Sequence, residues 1–518
     1  MPSSSAKPSL TVASLTWAFP AGPNLFNDLS FTVPPGLHAL VGANGAGKST
    51  LFTLIAGLLR PTGGTITAGE VGYLPQFPAA VAAITISDTL GITDIRDALA
   101  RIEAGIGTAA DFDTVGDNWD VLDTTRAALA RAGVPDDVDR PLRTLSGGER
   151  TAIAVLAQLR ARPQVLLLDE PTSNLDQSAR AWLFDALTSY ASGGRCVFAI
   201  SHDLEFLELM DSIYELHHGH IRHFGGPYSH YRDAIAAEQH AALQAHATAR
   251  NELKTQKAQR QAAQIAAARN AKAGQRDQRN KKFPPLVAGL RKQSAETTAG
   301  KQHRLHDAAV DQAAAQVAAT DSAIRKDELL RLELPDPHLP AGRVVLDYVD
   351  TARLQLVGPE RVRIAGPNGS GKSTLLRALR DSGAICVPYA AVEQDIAFPN
   401  SHATVIEHIR DARPGADPSA AHAHAARLLF IGDDAQKPIA ALSGGERLRL
   451  ALAHATFRSP MPSLLILDEP TNHLDIDGVE ALSTALHHWR GALLFVTHDE
   501  ELSQRLHPGR TLGPNLQP

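Results

Sequence analysis

Two glycine-rich segments with the pattern GxxxxGK[ST] lie far apart in the chain, GANGAGKST at Gly42–Thr50 and GPNGSGKST at Gly366–Thr374. Each follows a short apolar run and precedes a stretch of helical composition. In that setting backbone N–H groups wrap around phosphates, and the N-terminus of the helix adds a favourable partial charge. Lys48 and Lys372 would reach the outer phosphates. The sequence therefore predicts two phosphate-binding loops.

Acidic residues end two apolar runs downstream of these loops, in the motifs VLLLDE and LLILDE. A carboxylate at such a position is costly to bury unless it meets a cation, directly or through water. Magnesium is the natural partner of Asp169 and Asp468, and the loop residues Ser49 and Ser373 would supply hydroxyl ligands. The pattern therefore predicts one magnesium site beside each phosphate loop.

The acidic residue that follows in each motif is Glu170 or Glu469. It would point toward the γ-phosphate and polarise the attacking water. His202 and His498 follow the next apolar run, and an aspartate comes directly after each of them. Within this ordered set, contact of the two histidines with the γ-phosphate is the favoured interpretation. The chemistry indicated is hydrolysis of a nucleoside triphosphate.

The segment LSGGE also occurs twice, at Leu145–Glu149 and Leu442–Glu446, and a glutamine precedes each copy, Gln76 and Gln394. A serine hydroxyl and close-approaching glycine backbone at a helix start suit an anion. Each half already has a phosphate loop, so this second anion site makes sense if it faces the nucleotide of the other half. Five elements in the same order at similar spacings argue strongly against coincidence.

Composition excludes a membrane-spanning chain. Hydrophobic residues make up 44% of the 518 residues, the mean hydropathy is −0.13, and no apolar run approaches the roughly 20 residues that a membrane helix needs. The N-terminus, MPSSSAKPSL, lacks the apolar stretch of a secretory signal, so we expect a cytoplasmic protein. Cys196 and Cys386 lie in different halves, which fits a reducing compartment.

Short β-branched runs alternate with helical stretches in both halves, which is typical of a mostly parallel sheet wrapped by helices. We expect one domain at 1–235 and another at 339–518, with a helical insertion of about twenty residues within 84–140 of the first. The predicted strands that lead into motifs are Gly36–Val41, Val165–Asp169, Cys196–Ser201, Arg361–Ala365, Leu464–Asp468 and Leu493–Thr497.

The connector at 236–338 is rich in Ala, Gln, Lys and Arg, which predicts two long helices joined at a tip near Lys281–Gly300. Val310, Val317 and Ile324 recur every seven residues, as in a thin coiled-coil seam. Residues 250–304 hold fourteen Lys or Arg against three Asp or Glu, a charge of +11 in a chain whose net charge is −6. This segment is predicted to meet a polyanion.

These motifs resemble the ATP-binding cassette superfamily, in which LSGGE is the hallmark. Two cassettes on one chain, a basic helical connector, and the sequences LDEPTSNLD and LDEPTNHLD are most similar to the ABC-F branch. The resemblance implies an α/β fold of two P-loop ABC ATPase domains in tandem, joined by a long α-helical, coiled-coil-like linker. It also implies a monomer whose cassettes pair head to tail around two ATP molecules, so that Lys48 shares a site with Ser443–Glu446, and Lys372 with Ser146–Glu149.

ATP and Mg²⁺ are the implied cofactors, with Glu170, Glu469, His202 and His498 as catalytic residues. The implied nucleotide-binding residues are Phe19, Gly42, Asn44, Gly45, Gly47, Lys48, Ser49, Thr50, Gln76, Ser146, Gly147, Gly148, Glu149, Gly366, Asn368, Gly369, Gly371, Lys372, Ser373, Thr374, Gln394, Ser443, Gly444, Gly445 and Glu446. The implied magnesium ligands are Ser49, Gln76, Asp169, Ser373, Gln394 and Asp468.

The resemblance further implies a ribosome-associated ATPase, whose linker at 250–304 contacts ribosomal and transfer RNA. Such a protein either protects translation from an antibiotic or acts as a translation factor. The alternative is the energy subunit of a transporter that works with a separate permease, although a permease contact would not require a basic connector. A chromosome-structure or repair ATPase fits less well, because the zinc cysteines or longer coiled coils of that class do not occur.

The two halves differ before their phosphate loops. Phe19 is well spaced to stack on adenine in the first site, whereas the corresponding region of the second half is shorter and Tyr348 is a weak substitute. The second site is therefore expected to bind ATP less tightly. The first half has SNLD at Ser173–Asp176 and the second NHLD at Asn472–Asp475. Both keep the aspartate, so both sites are expected to hydrolyse ATP.

Overall fold

The computed structural model describes residues 9–19, 24–76, 84–173, 175–279, 285–322, 324, 332–349, 353–366, 370–394, 396–472 and 474–514. Within its helices, the side chains at 267, 270, 271, 273–279, 285–302 and 501 lie outside this description. The chain forms two compact units, one made of Met1–Ser229 with Leu330–Pro518 and the other of His230–Leu329. The first unit contains both cassettes.

The first cassette holds its phosphate loop on a six-stranded sheet. The strands of this cassette, which form two sheets, are β1 (Leu10–Ala18), β2 (Asn24–Val33), β3 (Gly36–Val41), β4 (Gly63–Ala68), β5 (Val71–Leu74), β6 (Val165–Asp169), β7 (Cys196–Ile200), β8 (Ser212–His217) and β9 (His220–Gly225). The order β5-β6-β7-β3-β8-β9 is parallel except for β9, and β2-β1-β4 form a separate antiparallel sheet. Strands β6 and β7 are buried at every position, as their continuous apolar sequence predicts.

The described residues of the first cassette include eight helices. They are α1 (Lys48–Ile55), α2 (Ile86–Thr89), α3 (Thr93–Glu103), α4 (Ala109–Val115), α5 (Val121–Arg131), α6 (Gly147–Ala161), α7 (Gln177–Ser192) and α8 (Leu204–Leu207). Helices α2 to α5 lie in the range where the insertion was predicted. They share an apolar core with α6, in which Leu99, Val115, Leu129 and Ile153 are buried.

A helical hairpin follows, made of α9 (Tyr228–Arg279) and α10 (Pro285–Ser322). The predicted tip at Lys281–Gly300 is too long, because α10 already begins at Pro285, a residue that is favoured in the first turn of a helix. His246 Nδ1 lies 3.3 Å from Thr320 Oγ1, and Arg260 Nη1 lies 3.5 Å from Asp307 Oδ1. The partner number falls as the α9 number rises, so the two helices run antiparallel.

The predicted seam of the hairpin is present in part. Val310 and Ala313 are buried and Val317 is half-buried, whereas Ile324 lies beyond the end of α10. On α9, Ala249 is buried. Small side chains at the contact allow the two helices to approach closely, so the apolar seam is thin.

The second cassette repeats the first with fewer elements. Its strands are β10 (Val344–Val349), β11 (Arg353–Val357), β12 (Arg361–Ile364), β13 (Tyr389–Val392), β14 (Leu464–Asp468), β15 (Ala492–Val496) and β16 (Arg510–Leu512). Its helices are α11 (Lys372–Asp381), α12 (Val405–Asp411), α13 (Pro418–Arg427), α14 (Gly444–Phe457), α15 (Ile476–His488) and α16 (Glu500–Leu506). The order β13-β14-β15-β12-β16 is wholly parallel, and β10 and β11 form a separate two-stranded antiparallel sheet. The predicted α/β fold is confirmed.

Replacing Val310 with alanine is expected to destabilise the hairpin by about 1 to 2 kcal/mol, because it removes two buried methyl groups from a thin seam. Hydrogen exchange of α9 and α10 amides in the full chain measures the local opening. Leu305→Ala is the matched control, since Leu305 is 62% exposed and its truncation should cost less than about 0.5 kcal/mol. Equal effects of the two substitutions would contradict the assigned seam.

Candidate functional site

The order of the parallel strands brings the predicted motifs together. Strands β6, β7 and β3 are neighbours, and β14, β15 and β12 repeat that arrangement in the second cassette. Their carboxyl ends carry in turn the acidic pair, the histidine and the phosphate loop. Ligands of open α/β sheets bind at this edge of the sheet. Each cassette therefore gathers its three motifs at one point.

The first phosphate loop depends on glycine at two positions. Gly42 has a φ of 148°, and a Cβ there would lie 2.4 Å from the carbonyl oxygen of Leu216. Gly47 has a left-handed φ of 97° at the N-cap of α1. Lys48 opens that helix, and its Nζ donates hydrogen bonds to Gly42 O at 2.5 Å and Ala43 O at 3.2 Å. The buried ammonium is therefore held inside the loop.

The second phosphate loop has the same form where it is described. Gly371 has a φ of 93° at the N-cap of α11, and Lys372 donates from Nζ to Gly366 O at 2.7 Å. Lys372 Nζ also lies 3.0 Å from His498 Nε2. Two predicted binding residues, Asn368 and Gly369, lie outside the described residues.

The predicted magnesium ligands lie together in each cassette. Ser49, Gln76 and Asp169 line the cleft over Lys48. Ser373, Gln394 and Asp468 line a cavity in the second cassette. Burial raises the pKa of Asp169 and of Asp468, and hydrogen bonds with the neighbouring serines oppose that rise.

These carboxylates fit a divalent cation. Asp468 Oδ1 is buried, and among the described residues no donor reaches it. A buried carboxylate oxygen without a donor costs free energy that a cation would recover. Carboxylate and hydroxyl oxygens are also the ligand types that Mg²⁺ accepts. The donor set therefore suits magnesium in both cassettes.

Glu170 and Glu469 occupy the left-handed backbone region, with φ values of 53° and 49°. The N–H of each donates to the end of the next strand, Glu170 to Ile200 O and Glu469 to Val496 O, both at 2.9 Å. Such conformations are costly for residues other than glycine and cluster at functional sites. Each turn aims a carboxylate toward the histidine of its own cassette, His202 or His498. We call these two residues the switch histidines, and residues 201–203 and 497–499 the switch segments.

Each glutamate faces its histidine closely. Glu170 Oε1 lies 3.2 Å from His202 Nε2, and Glu469 Oε1 lies 3.5 Å from His498 Nε2. The backbone N–H of His498 also donates to Glu469 Oε2 at 3.2 Å. The residues predicted to act on the γ-phosphate are thus adjacent in both cassettes.

Burial sets the charge of these groups. It raises the pKa of Glu170 above its usual range and that of Glu469 to about 7, while it lowers the pKa of His202 and brings that of His498 to about 4. The histidines are therefore neutral at pH 7. A carboxylate whose pKa lies near neutrality suits a general base, because it can hold a proton taken from water.

The two LSGGE segments begin α6 and α14 with capping boxes. Glu149 N donates to Ser146 Oγ at 3.3 Å, and Ser146 N donates back to Glu149 Oε2 at 2.7 Å. Ser443 and Glu446 repeat this pair at 3.3 and 2.8 Å. The spacing of serine and glutamate thus has a local structural role. The glycines between them form the first turn of each helix, at Gly147, Gly148, Gly444 and Gly445.

The second cassette contributes to the cleft over Lys48. Asn472 and Leu474 line it together with the first phosphate loop. Asp475 Oδ2 accepts a hydrogen bond from Asn44 N at 3.0 Å, while its Oδ1 accepts from Gly478 N at 2.9 Å. The NHLD segment therefore contacts the phosphate loop of the other cassette.

Carboxylates of each cassette act electrostatically on the phosphate-loop lysine of the other cassette. Burial lowers the pKa of Lys48, and among the carboxylates that oppose this are Asp475 and Asp477 of the second cassette. Burial likewise lowers the pKa of Lys372, and Asp176 of the first cassette is one of the carboxylates that oppose it. The pKa of each lysine is thus affected by acidic residues that follow the LDEP motif of the other cassette.

The predicted adenine-stacking residue lies at the edge of the first cleft. Phe19 is 51% exposed, lines the cleft, and meets Trp17 edge-on with ring centroids 4.8 Å apart. In the second cassette, Tyr348 is half-buried and packs on the core around Leu346 and Leu354. Phe19 offers an open ring face, whereas Tyr348 is held by its own domain.

Comparisons with known proteins agree with this geometry. A family profile described as ABC transporter matches residues 26–173 and 349–472. The chain is 33% identical to the tylosin resistance ATP-binding protein TlrC of Streptomyces fradiae, over 93% of each chain. It is 30% identical to the energy-dependent translational throttle protein EttA of Mycobacterium tuberculosis, over 92% of this chain and 86% of that one.

Among solved structures, the archaeal ribosome recycling factor aABCE1, crystallised with the ribosomal stalk protein aP1, matches 97% of this chain and 88% of its own. The TM-score is 0.54 at 19% identity, so the likeness concerns the fold alone. No helix among the described residues is both long and apolar enough to cross a bilayer.

The fold and the site define a tandem ATP-binding cassette ATPase. The chain belongs to the ABC-F family of these proteins. The predictions of ATP binding and ATP hydrolysis are thereby confirmed.

Several residues of the site were missed by sequence reasoning. Leu25 and Ile200 line the first cleft, and no spacing rule marks them. Asp477 and Arg180 were missed as well, although both are charged residues just after an LD pair, and the matching residues of the other cassette, Ser178 and Val479, are uncharged. Comparison of the two repeats could have found them.

Phe19→Ala is expected to weaken ATP binding at the first site about 2- to 10-fold, because an aromatic contact is worth about 0.5 to 1.5 kcal/mol. Equilibrium ATP binding is measured in a Lys372→Ala background, which isolates the first site. Tyr348→Ala in a Lys48→Ala background is the matched control, with an expected change below about twofold. Equal affinities in the two parent backgrounds would contradict weaker ATP binding at the second site.

Proposed function

We propose that this ATPase acts on the ribosome, as a ribosome-protection resistance protein or as a translation factor. The observation that carries the proposal is the exposed basic surface of the hairpin. The side chains described as exposed within 250–304 include Arg250, Lys254, Lys257, Arg269, Lys272 and Arg304. These charges are available to a polyanion.

Ribosomal RNA suits this surface, because lysine and arginine release counterions from phosphates whatever the base sequence. Structured RNA is also recognised more by shape than by sequence, which fits a long helical probe. The names of two relatives point to translation and to resistance against tylosin. Contacts of 250–304 with ribosomal and transfer RNA are part of the proposal.

Two composite ATP sites would drive the action within a monomer. Lys48 would share one ATP with Ser443–Glu446, and Lys372 the other with Ser146–Glu149. The contact between Asn44 N and Asp475 supports this pairing, since it already joins the first phosphate loop to the second cassette. ATP would hold the cassettes closed, and hydrolysis would release them.

Within each site the residues have separate roles. The carboxylate of Glu170 or Glu469 accepts a proton from the attacking water, and the neutral histidine beside it orients the γ-phosphate. Magnesium, held by Ser49, Gln76 and Asp169 or by Ser373, Gln394 and Asp468, would neutralise charge on the phosphates. The lysine of each phosphate loop would neutralise charge on the outer phosphates of the nucleotide.

Replacing both Glu170 and Glu469 with glutamine is expected to preserve ATP binding and to lower hydrolysis about 100- to 10,000-fold, because the general base is removed. The closed form should then accumulate and sediment with ribosomes when ATP is present. Glutamine at Glu103 and Glu480, two exposed acids outside the motifs, is the matched control and should leave hydrolysis unchanged. Recovery of the trapped variant with membranes instead would favour a transporter subunit.

Replacing Lys254, Lys257, Arg269 and Lys272 with glutamate is expected to weaken ribosome binding at least about tenfold at moderate salt. The slope of log K against log salt should fall by about 0.7 to 0.9 for each phosphate that the variant no longer neutralises. The control exchanges lysine and arginine at the same positions and keeps the charge. Unchanged ribosome affinity in the reversed variant would refute the hairpin as the RNA-binding element.

A growth assay with ribosome-targeting antibiotics, with and without the protein, separates resistance from a general role in translation. Phe283 and Pro284 of the tip lie outside the described residues, as do the side chains of 285–290.

A further inference from the structure

One arginine joins the two ATP sites directly. Arg180 lies on α7, and its Nη1 donates to the carbonyl oxygen of His498 at 3.1 Å. Its Nη2 forms an ion pair with Asp203, the residue directly after His202. The side chains of Arg180 and Asp203 are only 17% and 5% exposed. A single half-buried guanidinium thus links the switch segments of both cassettes.

The first end of this link is well anchored. Asp203 is the N-cap of α8, and its Oδ1 accepts from Phe206 N at 3.2 Å. Its own N–H donates to Ser201 Oγ, also at 3.2 Å. A displacement of the segment around His202 must therefore move Asp203, and with it the guanidinium of Arg180.

The second end reaches the catalytic groups of the other site. The backbone N–H of His498 donates to Glu469 Oε2, and its ring Nε2 lies 3.0 Å from Lys372 Nζ. The carbonyl group held by Arg180 belongs to the same residue. The position of the His498 ring relative to Lys372 and Glu469 thus depends on a residue of the other cassette.

Among the described residues, the equivalent position of the second cassette has no second copy of this link. Arg180 N donates to Asp176 O at 2.9 Å, and Val479 N donates to Asp475 O at the same distance, so the two residues occupy equivalent positions. Val479 packs against the core of its own cassette, and its side chain has no hydrogen-bonding group. The coupling made by this position runs from the first cassette to the second site only.

We propose that Arg180 is a positioning residue for hydrolysis at the second ATP site. It holds His498 through the carbonyl group, and its ion pair with Asp203 makes that hold depend on the switch segment of the first site. Hydrolysis at the second site is therefore coupled to the state of the first, and position 479 provides no reciprocal link. The inference rests on the proposed assignment of two ATP sites.

The test uses the full chain with one site silenced at a time. In a Glu170→Gln background, where the second site alone hydrolyses ATP, Arg180→Met is expected to lower kcat about tenfold and to change KM less than about twofold. In a Glu469→Gln background the decrease should be below about threefold. Equal decreases in both backgrounds, or an effect on KM alone, would assign Arg180 a merely structural role.

Three further variants sharpen the result. Asp203→Asn should also slow the second site, and its effect should not add to that of Arg180→Met, because both break one link. Arg180→Lys keeps a cation and should restore part of kcat. Val479→Ala, the matched control at the equivalent position, should change first-site kcat less than about twofold. Full additivity of the two substitutions at 180 and 203 would overturn the proposal.

Hydrogen exchange separates this inference from the proposed function. Removal of the Arg180 guanidinium should speed exchange of the amides at residues 497–500, whether or not the second site turns over alone. If the Glu170→Gln background hydrolyses no ATP while exchange at 497–500 still rises in Arg180→Met, the assignment of two independently hydrolysing sites fails and the positioning role stands. Unchanged exchange at these residues would refute the positioning role.

Discussion

Burial of charge at the carboxyl ends of three parallel strands is the constraint on which the cassettes depend. Lys48 and Lys372 are 7% and 8% exposed, and Asp169 and Asp468 are 3% and 9% exposed. Removing such groups from water costs several kcal/mol each, and mutual attraction recovers that cost only with good geometry. The site is thus built at the expense of stability, which extensive apolar cores must supply.

The same constraint explains the contact between cassettes. A phosphate loop and a buried lysine leave donors and positive charge that one domain does not fully satisfy. Asp475 accepts from Asn44 N, and Asp176 acts on Lys372 from the other side. Each cassette therefore supplies acidic groups to its partner, and the pair is more than two independent ATPases on one chain.

Much of this arrangement could be predicted from sequence because it is local. Strands β6 and β14 end at an acidic residue after an unbroken apolar run, and both were predicted at their observed bounds. The serine and glutamate of LSGGE are spaced as a capping box, which needs only a helix start. The contact of Arg180 with His498 spans 318 positions, and no local rule indicates it. What sequence missed are contacts that arise when two sheets meet.

The two cassettes have the same motif residues, but different residues hold them in position. In the second cassette Arg363 donates to Thr497 O at 3.1 Å and pairs with Glu500, whereas the equivalent position of β3 is the buried Ala39. The segment around His498 is thus held by Arg363 from within and by Arg180 from the other cassette. Arg180 also forms an ion pair with Asp203. The segment around His498, which both arginines hold, is therefore connected to the first site through Arg180.

Charge is distributed unevenly between the hairpin and the rest of the chain. Residues 250–304 carry +11 in a chain of net charge −6, so the remainder carries −17. A polyanion attracts the hairpin and repels the cassettes, and this opposition would orient the encounter before any specific contact forms. Basic contacts to RNA weaken as salt rises. Under the proposed function the hairpin would supply the affinity for RNA, and ATP hydrolysis in the cassettes would release the protein from it. Segregating the two functions lets hydrolysis be tuned by residues at the contact between cassettes, such as Arg180, without altering the surface that would meet RNA.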